Sequence, residues 1–170
     1  PENNAKMLYC TDPDGVRIEL MELGLPFGFS HSGICVPDIE RSMKYYETLG
    51  FKAAENHVLD AGYEWLAKIN ETPGIKLRAQ MMRDAEGNTI ELLKVFEPAS
   101  FGPRERKPLN RFGLTHMAFW DDEAEAMVQK CTERGGYFVE EAHVKTPYIE
   151  LWHGADPDGV RIELMRPVGQ

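Results

Sequence analysis

The sequence predicts an α+β fold made of two repeated units, each reading strand, helix, then several strands. Three observations predict it. A ten-residue turn-and-strand motif recurs along the chain. A histidine-bearing strand that leads into an amphipathic helix occurs twice. A basic, proline-containing stretch separates the two occurrences.

Asp12-Pro13-Asp14-Gly15-Val16-Arg17-Ile18-Glu19-Leu20-Met21 is identical to Asp156 through Met165. A degenerate copy, Asp84-Ala85-Glu86-Gly87-Asn88-Thr89-Ile90-Glu91-Leu92, lies midway, so the three begin 72 residues apart. Fixed spacing of this kind signals an internal structural repeat. Each copy is an Asp-x-x-Gly turn followed by an alternating strand, with a glutamate four residues after the glycine. The second motif pairs Phe29–Val36, which contains His31, with Leu114–Trp120, which contains His116.

The first helix begins at Asp38, an N-cap after Pro37, with Ile39, Met43, Tyr46 and Leu49 on one face and Gly50 as its stop. The second begins near Asp121 or Asp122, turns Ala124, Met127, Val128 and Cys131 inward, and stops at Gly135-Gly136. Further strands are expected at Tyr63–Asn70 and Ile75–Met82 in the first unit, and at Gly136–Val144 and Tyr148–His153 in the second. The domain reading is 1–24 as the remnant closing strand of a preceding module, 28–97 as module 1, 98–110 as linker and 111–170 as module 2. A lone strand is unstable in water. The N-terminal remnant is therefore expected to pair with an edge of this chain or of a second copy, which favours dimerisation or strand exchange.

Composition narrows the function classes. At 42% hydrophobic and 28% charged the chain reads as an ordinary globular protein. No apolar run approaches the ~20 residues of a membrane helix. The net charge of −9 disfavours nucleic acid or an anionic membrane as partner. Three scattered cysteines, Cys10, Cys35 and Cys131, read as reduced packing residues in a cytoplasmic protein.

Side chains alternate along a strand. Ile34 and Val36 therefore oppose His31, Gly33 and Cys35. Met117 and Phe119 oppose His116 and Ala118. Ile90 and Leu92 oppose Glu91, and Ile162 and Leu164 oppose Arg161 and Glu163. The branched apolar face belongs under the helix, and the other face carries the histidine or glutamate every time. Two imidazoles and two carboxylates suit one divalent ion, and Zn, Ni, Co, Mn and Fe all accept such ligands. The metal quartet is His31, Glu91, His116 and Glu163. Taken singly, each reads as a structural or solvated residue; their repetition is what favours a metal site.

The run His31-x4-Val36-x-Asp38-Ile39-x5-Tyr45-Tyr46-x2-Leu49-Gly50-Phe51 resembles the opening of a vicinal-oxygen-chelate (VOC) module, and Asp156-Pro157-Asp158-Gly159-x2-Ile162-Glu163-Leu164 resembles its closing strand. The resemblance covers essentially the whole chain. It implies paired βαβββ modules that form a cup-shaped, open, barrel-like sheet around one metal. It also implies a small-molecule substrate that presents two vicinal oxygens. The His, Glu, His, Glu order is similar to glyoxalase I and, with one ligand changed, methylmalonyl-CoA epimerase. That implies a lyase or isomerase moving a proton next to a carbonyl through a metal-bound enediolate, with Glu91 or Glu163 as base. Trp120, Arg161 and His153 are the expected substrate contacts. The alternative is an extradiol dioxygenase using Fe(II) with His31, His116 and Glu163, in which Glu91 is surplus and His153 stands where those enzymes place a tyrosine that Tyr9 matches in the N-terminal copy. A second alternative is a metal-free binding or resistance protein that uses Trp65, Trp120 or Trp152 for stacking. Glu19 is equivalent to Glu163 in its repeat, but is not expected to act. The basic residues Arg104, Arg106, Lys107 and Arg111 read as a solvated linker, and His143 as a surface residue.

Overall fold

The computed structural model describes residues 6–169. The two units have the same topology. In the first, β3 (Ser32–Cys35) leads to α1 (Ile39–Thr48), β4 (Lys52–Leu59), a short α2 (Glu64–Ile69), β5 (Lys76–Arg83) and β6 (Thr89–Glu97). In the second, β7 (Met117–Trp120) leads to α3 (Ala124–Glu133), β8 (Tyr137–Lys145), β9 (Ile149–Ala155) and β10 (Arg161–Pro167). The sheet orders are β3-β6-β5-β4 and β7-β10-β9-β8, with the first and last strand of each unit parallel and neighbouring. No strand pairing joins the two sheets among the described residues, so each sheet is open rather than closed into a barrel.

The expected caps and faces explain the helices. Asp38 accepts a hydrogen bond from the Arg41 backbone N–H at 3.0 Å, satisfying one of the free donors at the start of α1. Ile39, Ser42, Tyr45 and Tyr46 are its buried residues. In α3, Ala124 and Cys131 are buried, and Met127 and Val128 pack against the same core.

That core is shared. Ile34, Val36, Ile90 and Leu92 from the first sheet join Tyr45 and Tyr46 from α1, Cys131 from α3, and Trp152, Ile162 and Leu164 from the second sheet. The helix-bearing faces of both units therefore meet. Phe51 and Phe119 stack edge-on across the junction at 6.2 Å. A polar clamp crosses it too: Tyr46 Oη donates to Asp156 Oδ2 at 2.9 Å, Ser42 Oγ donates to Asp158 at 3.2 Å, and Arg41 pairs with Asp158. Asp156 is 1% exposed and also accepts the backbone N–H groups of Asp158 and Val160.

Close approach at Gly154 fixes the second sheet. A Cβ there would lie 2.3 Å from the Tyr137 carbonyl oxygen and 2.7 Å from the Phe138 ring. Only a residue without a side chain fits this register.

Several expectations change. The N-terminal segment, expected to be a single closing strand, is two strands, β1 (Lys6–Thr11) and β2 (Arg17–Glu22), which form an antiparallel hairpin with Tyr9 opposite Glu19. Tyr63–Asn70 contains α2 rather than a strand: Glu64, Leu66, Ala67 and Lys68 are good helix formers, and one turn suffices to bury Leu66 against Ile75, Leu77 and Ala79. The strand partner of β5 is instead β4, whose mostly exposed side chains leave no apolar alternation to read. Cys131 packs in the core, but Cys10 and Cys35 are exposed. The basic stretch is not simply solvated. Arg104 donates to Asp158 at 2.8 Å and lays its backbone over the last turn. There Gly159, at φ +87°, would place a Cβ 2.5 Å from the Arg104 carbonyl oxygen.

Candidate metal-binding site

The histidines sit immediately before the first strand of each unit, and each glutamate lies in the neighbouring parallel strand. The registers match: Gly33 pairs with Glu91, and Ala118 with Glu163. Each glutamate is thus opposite the residue two places beyond its histidine, on the face away from the helices. His31 Nε2 lies 3.5 Å from Glu91 Oε2, and His116 Nε2 lies 3.4 Å from Glu163 Oε2.

Both imidazoles are held the same way from behind. Ser30 Oγ is 3.0 Å from His31 Nδ1, and Thr115 Oγ1 is 2.8 Å from His116 Nδ1. A hydroxyl accepting from Nδ1–H fixes the ring orientation and leaves Nε2 facing the glutamate. The repeated hydroxyl–histidine dipeptides, Ser30-His31 and Thr115-His116, were visible in the sequence and had not been given this role.

The four expected ligands form two pairs rather than one cluster. No ion pair links His31 or Glu91 to His116 or Glu163 among the described residues. Nor do three or more His, Cys, Asp or Glu side chains there form a ready-made chelating group. The separations still fit the donor chemistry. At 3.4–3.5 Å they are long for a hydrogen bond. Two ligands ~2.0–2.2 Å from one ion stand roughly 3.0–3.5 Å apart, depending on the angle between them.

A residue expected to be idle joins the first pair. Glu19 Oε2 is 3.5 Å from His31 Nε2, and Tyr9 lies across the hairpin from Glu19. The His31, Glu19 and Glu91 side chains are only 12%, 15% and 19% exposed. Glu19 and then Glu91 hold the His31 imidazole protonated up to about 9. The Tyr9 hydroxyl is pushed well above its ordinary value by burial and by Glu19. The two carboxylates favour the protonated, positively charged imidazole in this pocket.

The second pair has its own neighbour. His153 Nε2 is 3.1 Å from Glu163 Oε1, directly across the strand pairing. Trp120 ends β7 and is 65% exposed, open to a ligand. Arg161 is committed elsewhere, donating to the Lys107 carbonyl at 2.8 Å, with a buried Nε left without a partner. Of the other tryptophans, Trp152 is buried and stacks on His143 at 4.7 Å, while Trp65 lies beside Tyr63. His143 is no bystander: it pairs with the buried Glu150 at 2.9 Å.

The model for the Glyoxalase/Bleomycin resistance protein/Dioxygenase superfamily matches residues 28–164. Among solved structures, a glyoxalase family protein from Bacillus cereus is 18% identical over 88% of this chain and all of its own, with a TM-score of 0.75. Glyoxalase I from Zea mays is 22% identical, with a TM-score of 0.67, over 95% of this chain and 54% of the maize chain. A fosfomycin resistance protein from Listeria monocytogenes, complexed with Mn(II) and sulfate, is 15% identical over 86% of this chain and 95% of its own, with a TM-score of 0.54. Among curated proteins none matches the sequence.

Proposed function

Because the chain belongs to the glyoxalase/bleomycin resistance protein/dioxygenase superfamily, we propose that it is a metal-dependent lyase or isomerase that moves a proton next to a carbonyl. One observation carries this reading. In both units a histidine, braced through Nδ1 by the preceding hydroxyl, turns Nε2 to the glutamate of the closing strand at 3.4–3.5 Å. The same donor pair is built twice by the same register.

His31, Glu91, His116 and Glu163 are the metal-holding residues of this reading. A bound divalent ion supplies Lewis-acid polarisation of a carbonyl oxygen. Glu91 or Glu163 takes the proton from the adjacent carbon and returns it. His153, at 3.1 Å from Glu163, holds that carboxylate from its other oxygen and orients it. Trp120 offers an apolar wall on the same side. The substrate is a small molecule with two adjacent oxygens.

A second reading has a specific observation of its own. His116 and His153 flank Glu163, one on each carboxylate oxygen, and the dioxygenase reading takes His31, His116 and Glu163 as two histidines and one carboxylate. Such a set suits Fe(II) and dioxygen chemistry.

Elemental analysis of the purified protein separates the readings when combined with deuterium exchange next to the carbonyl of α-hydroxy carbonyl compounds and with oxygen uptake on catechols. Stoichiometric zinc, nickel, cobalt or manganese with exchange supports proton transfer. Iron with oxygen uptake moves the assignment to ring cleavage. His116→Ala should stay folded and lose metal, and retention of full metal by this variant sinks the ligand assignment.

A further inference from the structure

In a chain with 28 acidic and 19 basic side chains, a part-buried arginine without a carboxylate stands out. Arg17, Arg41, Arg78, Arg83, Arg104 and Arg166 each pair with one. Arg106 and Arg161 pair with none among the described residues. Both also hold a nitrogen that is shut away from water and has no hydrogen-bond partner, Nη1 of Arg106 and Nε of Arg161. A dry, unpaired donor on a charged group is costly, and in folded proteins such donors are normally completed by a partner.

The fold holds the two arginines in place. Arg161 opens β10 two residues before Glu163, so it shares the face that carries that carboxylate. Its Nη2 donates to the Lys107 carbonyl at 2.8 Å. Arg106 lies on the segment that crosses the last turn. Arg104 pins that segment by donating to Asp158 at 2.8 Å and to the Pro157 carbonyl at 3.3 Å. Its backbone also rests on Gly159. Burial first, and then the charge of Arg106, push the Arg161 guanidinium below its ordinary value. Two neighbouring cations of this kind are relieved by an anion between them. Across the sheet Arg161 pairs with Ala155, and Ala155 with Tyr137, so only a methyl group stands between the guanidinium and an exposed phenol.

We propose that Arg106 and Arg161 form an oxyanion-binding site on the face that carries Glu163, and that it takes a carboxylate or phosphate group of the substrate. Placing the substrate's anion there rests on the metal-dependent reading above and narrows its substrate class. A guanidinium presents its N–H groups as a fork that matches two oxygens of either group. Two residues along a strand span roughly 7 Å, so the anion lies a few bonds from oxygens held beside Glu163. Tyr137, in the same cross-strand row, offers a hydroxyl donor. The negative net charge of the chain does not oppose this, because the paired cations set the field close to them.

The test is a titration of the full chain with inorganic phosphate and, separately, with acetate, at an ionic strength held constant with chloride. The arginine Nε–H signals are followed by nitrogen–proton NMR, and metal content is measured on the same preparations. The variants are Arg106→Gln, Arg161→Lys, and Arg134→Gln as an exposed control at the end of α3. The expected result is one saturable site that shifts the Nε–H signals of Arg106 and Arg161. Its affinity should fall at least about tenfold in Arg106→Gln and in Arg161→Lys, read from the arginine that remains, and stay unchanged in Arg134→Gln. Tighter binding of phosphate supports a phosphorylated substrate, and tighter binding of acetate a carboxylate. Shifts that chloride alone reproduces, or binding that persists unchanged in both site variants, overturn the site. Anion binding by a preparation that takes up no metal supports the arginine site and refutes the metal reading. Metal uptake without anion binding does the reverse, which keeps the two failures distinct.

Discussion

Tyr45 and Tyr46 are adjacent, both fully buried, and in opposite hydrogen-bonding situations. Tyr46 Oη donates to Asp156 Oδ2 at 2.9 Å, whereas Tyr45 Oη is buried without a hydrogen-bond partner, the Cys131 thiol being its polar neighbour. Burial pushes the Asp156 carboxyl up, and the Val160 N–H, the Tyr46 hydroxyl and the Asp158 N–H pull it back. Replacing Tyr46 by Phe leaves Oδ2 of a buried carboxylate unpaired, and the ring still fills its space. Hydrogen bonds to a charged group contribute ~1.5–3 kcal/mol. For a chain of this size that corresponds to a Tm lower by roughly 3–12 °C. Tyr45→Phe removes an unsatisfied hydroxyl and should lie within about 0.5 kcal/mol of the parent, or be more stable. Urea unfolding followed by circular dichroism measures both. Equal losses in the two variants, or a loss below about 0.5 kcal/mol in Tyr46→Phe, would refute the idea that this bond clamps the units together.

The remaining predictions follow from the same kind of contact. Glu150 is pulled down to about 2 by Arg166, with help from His143 and Lys145. A depressed carboxylate contributes stability that is present above its ordinary value and lost as pH falls toward the folded one. Acid unfolding of Glu150→Gln should therefore show a shallower pH dependence between about 4.5 and 2 than the parent, and identical curves would remove the cluster from the acid response. Gly154→Ala should destabilise by at least about 2 kcal/mol in urea, because its Cβ meets backbone rather than a movable side chain. Leu66→Ala should cost ~2–5 kcal/mol, and a smaller loss would mean that α2 is not anchored by its one buried residue.

The sequence carried the architecture through its repeats. Copies of one turn at 12, 84 and 156 imply equivalent strands, and period-two alternation assigned His31, Glu91, His116 and Glu163 to the face away from the helices. What it did not carry was the meeting of elements distant in the chain. His31 and Glu91 are joined by a parallel pairing inside one unit, but nothing local says which carboxylate arrives from outside, and Glu19 arrives rather than Glu163. α2 was misread because a single apolar anchor, Leu66, gives a helix no period to show. β4 was overlooked because it is an edge strand with little to bury. Glu150 escaped notice, and His143 was read as a surface residue, because their pairing depends on register between β8 and β9, not on spacing.

The twin hairpins expose the chain to a self-recognition problem, and Gly154 solves it. A segment that duplicates β10 and its turn is synthesised long before β10, and is free to compete for the slot beside β7. Residue by residue, Cys10 is the counterpart of Gly154, two places before the shared aspartate. A Cβ at that position would lie 2.3 Å from the Tyr137 carbonyl oxygen, so the strand carrying Cys10 does not fit the place of β9 beside β8. A missing side chain thus distinguishes two hairpins whose turn and closing strand are identical.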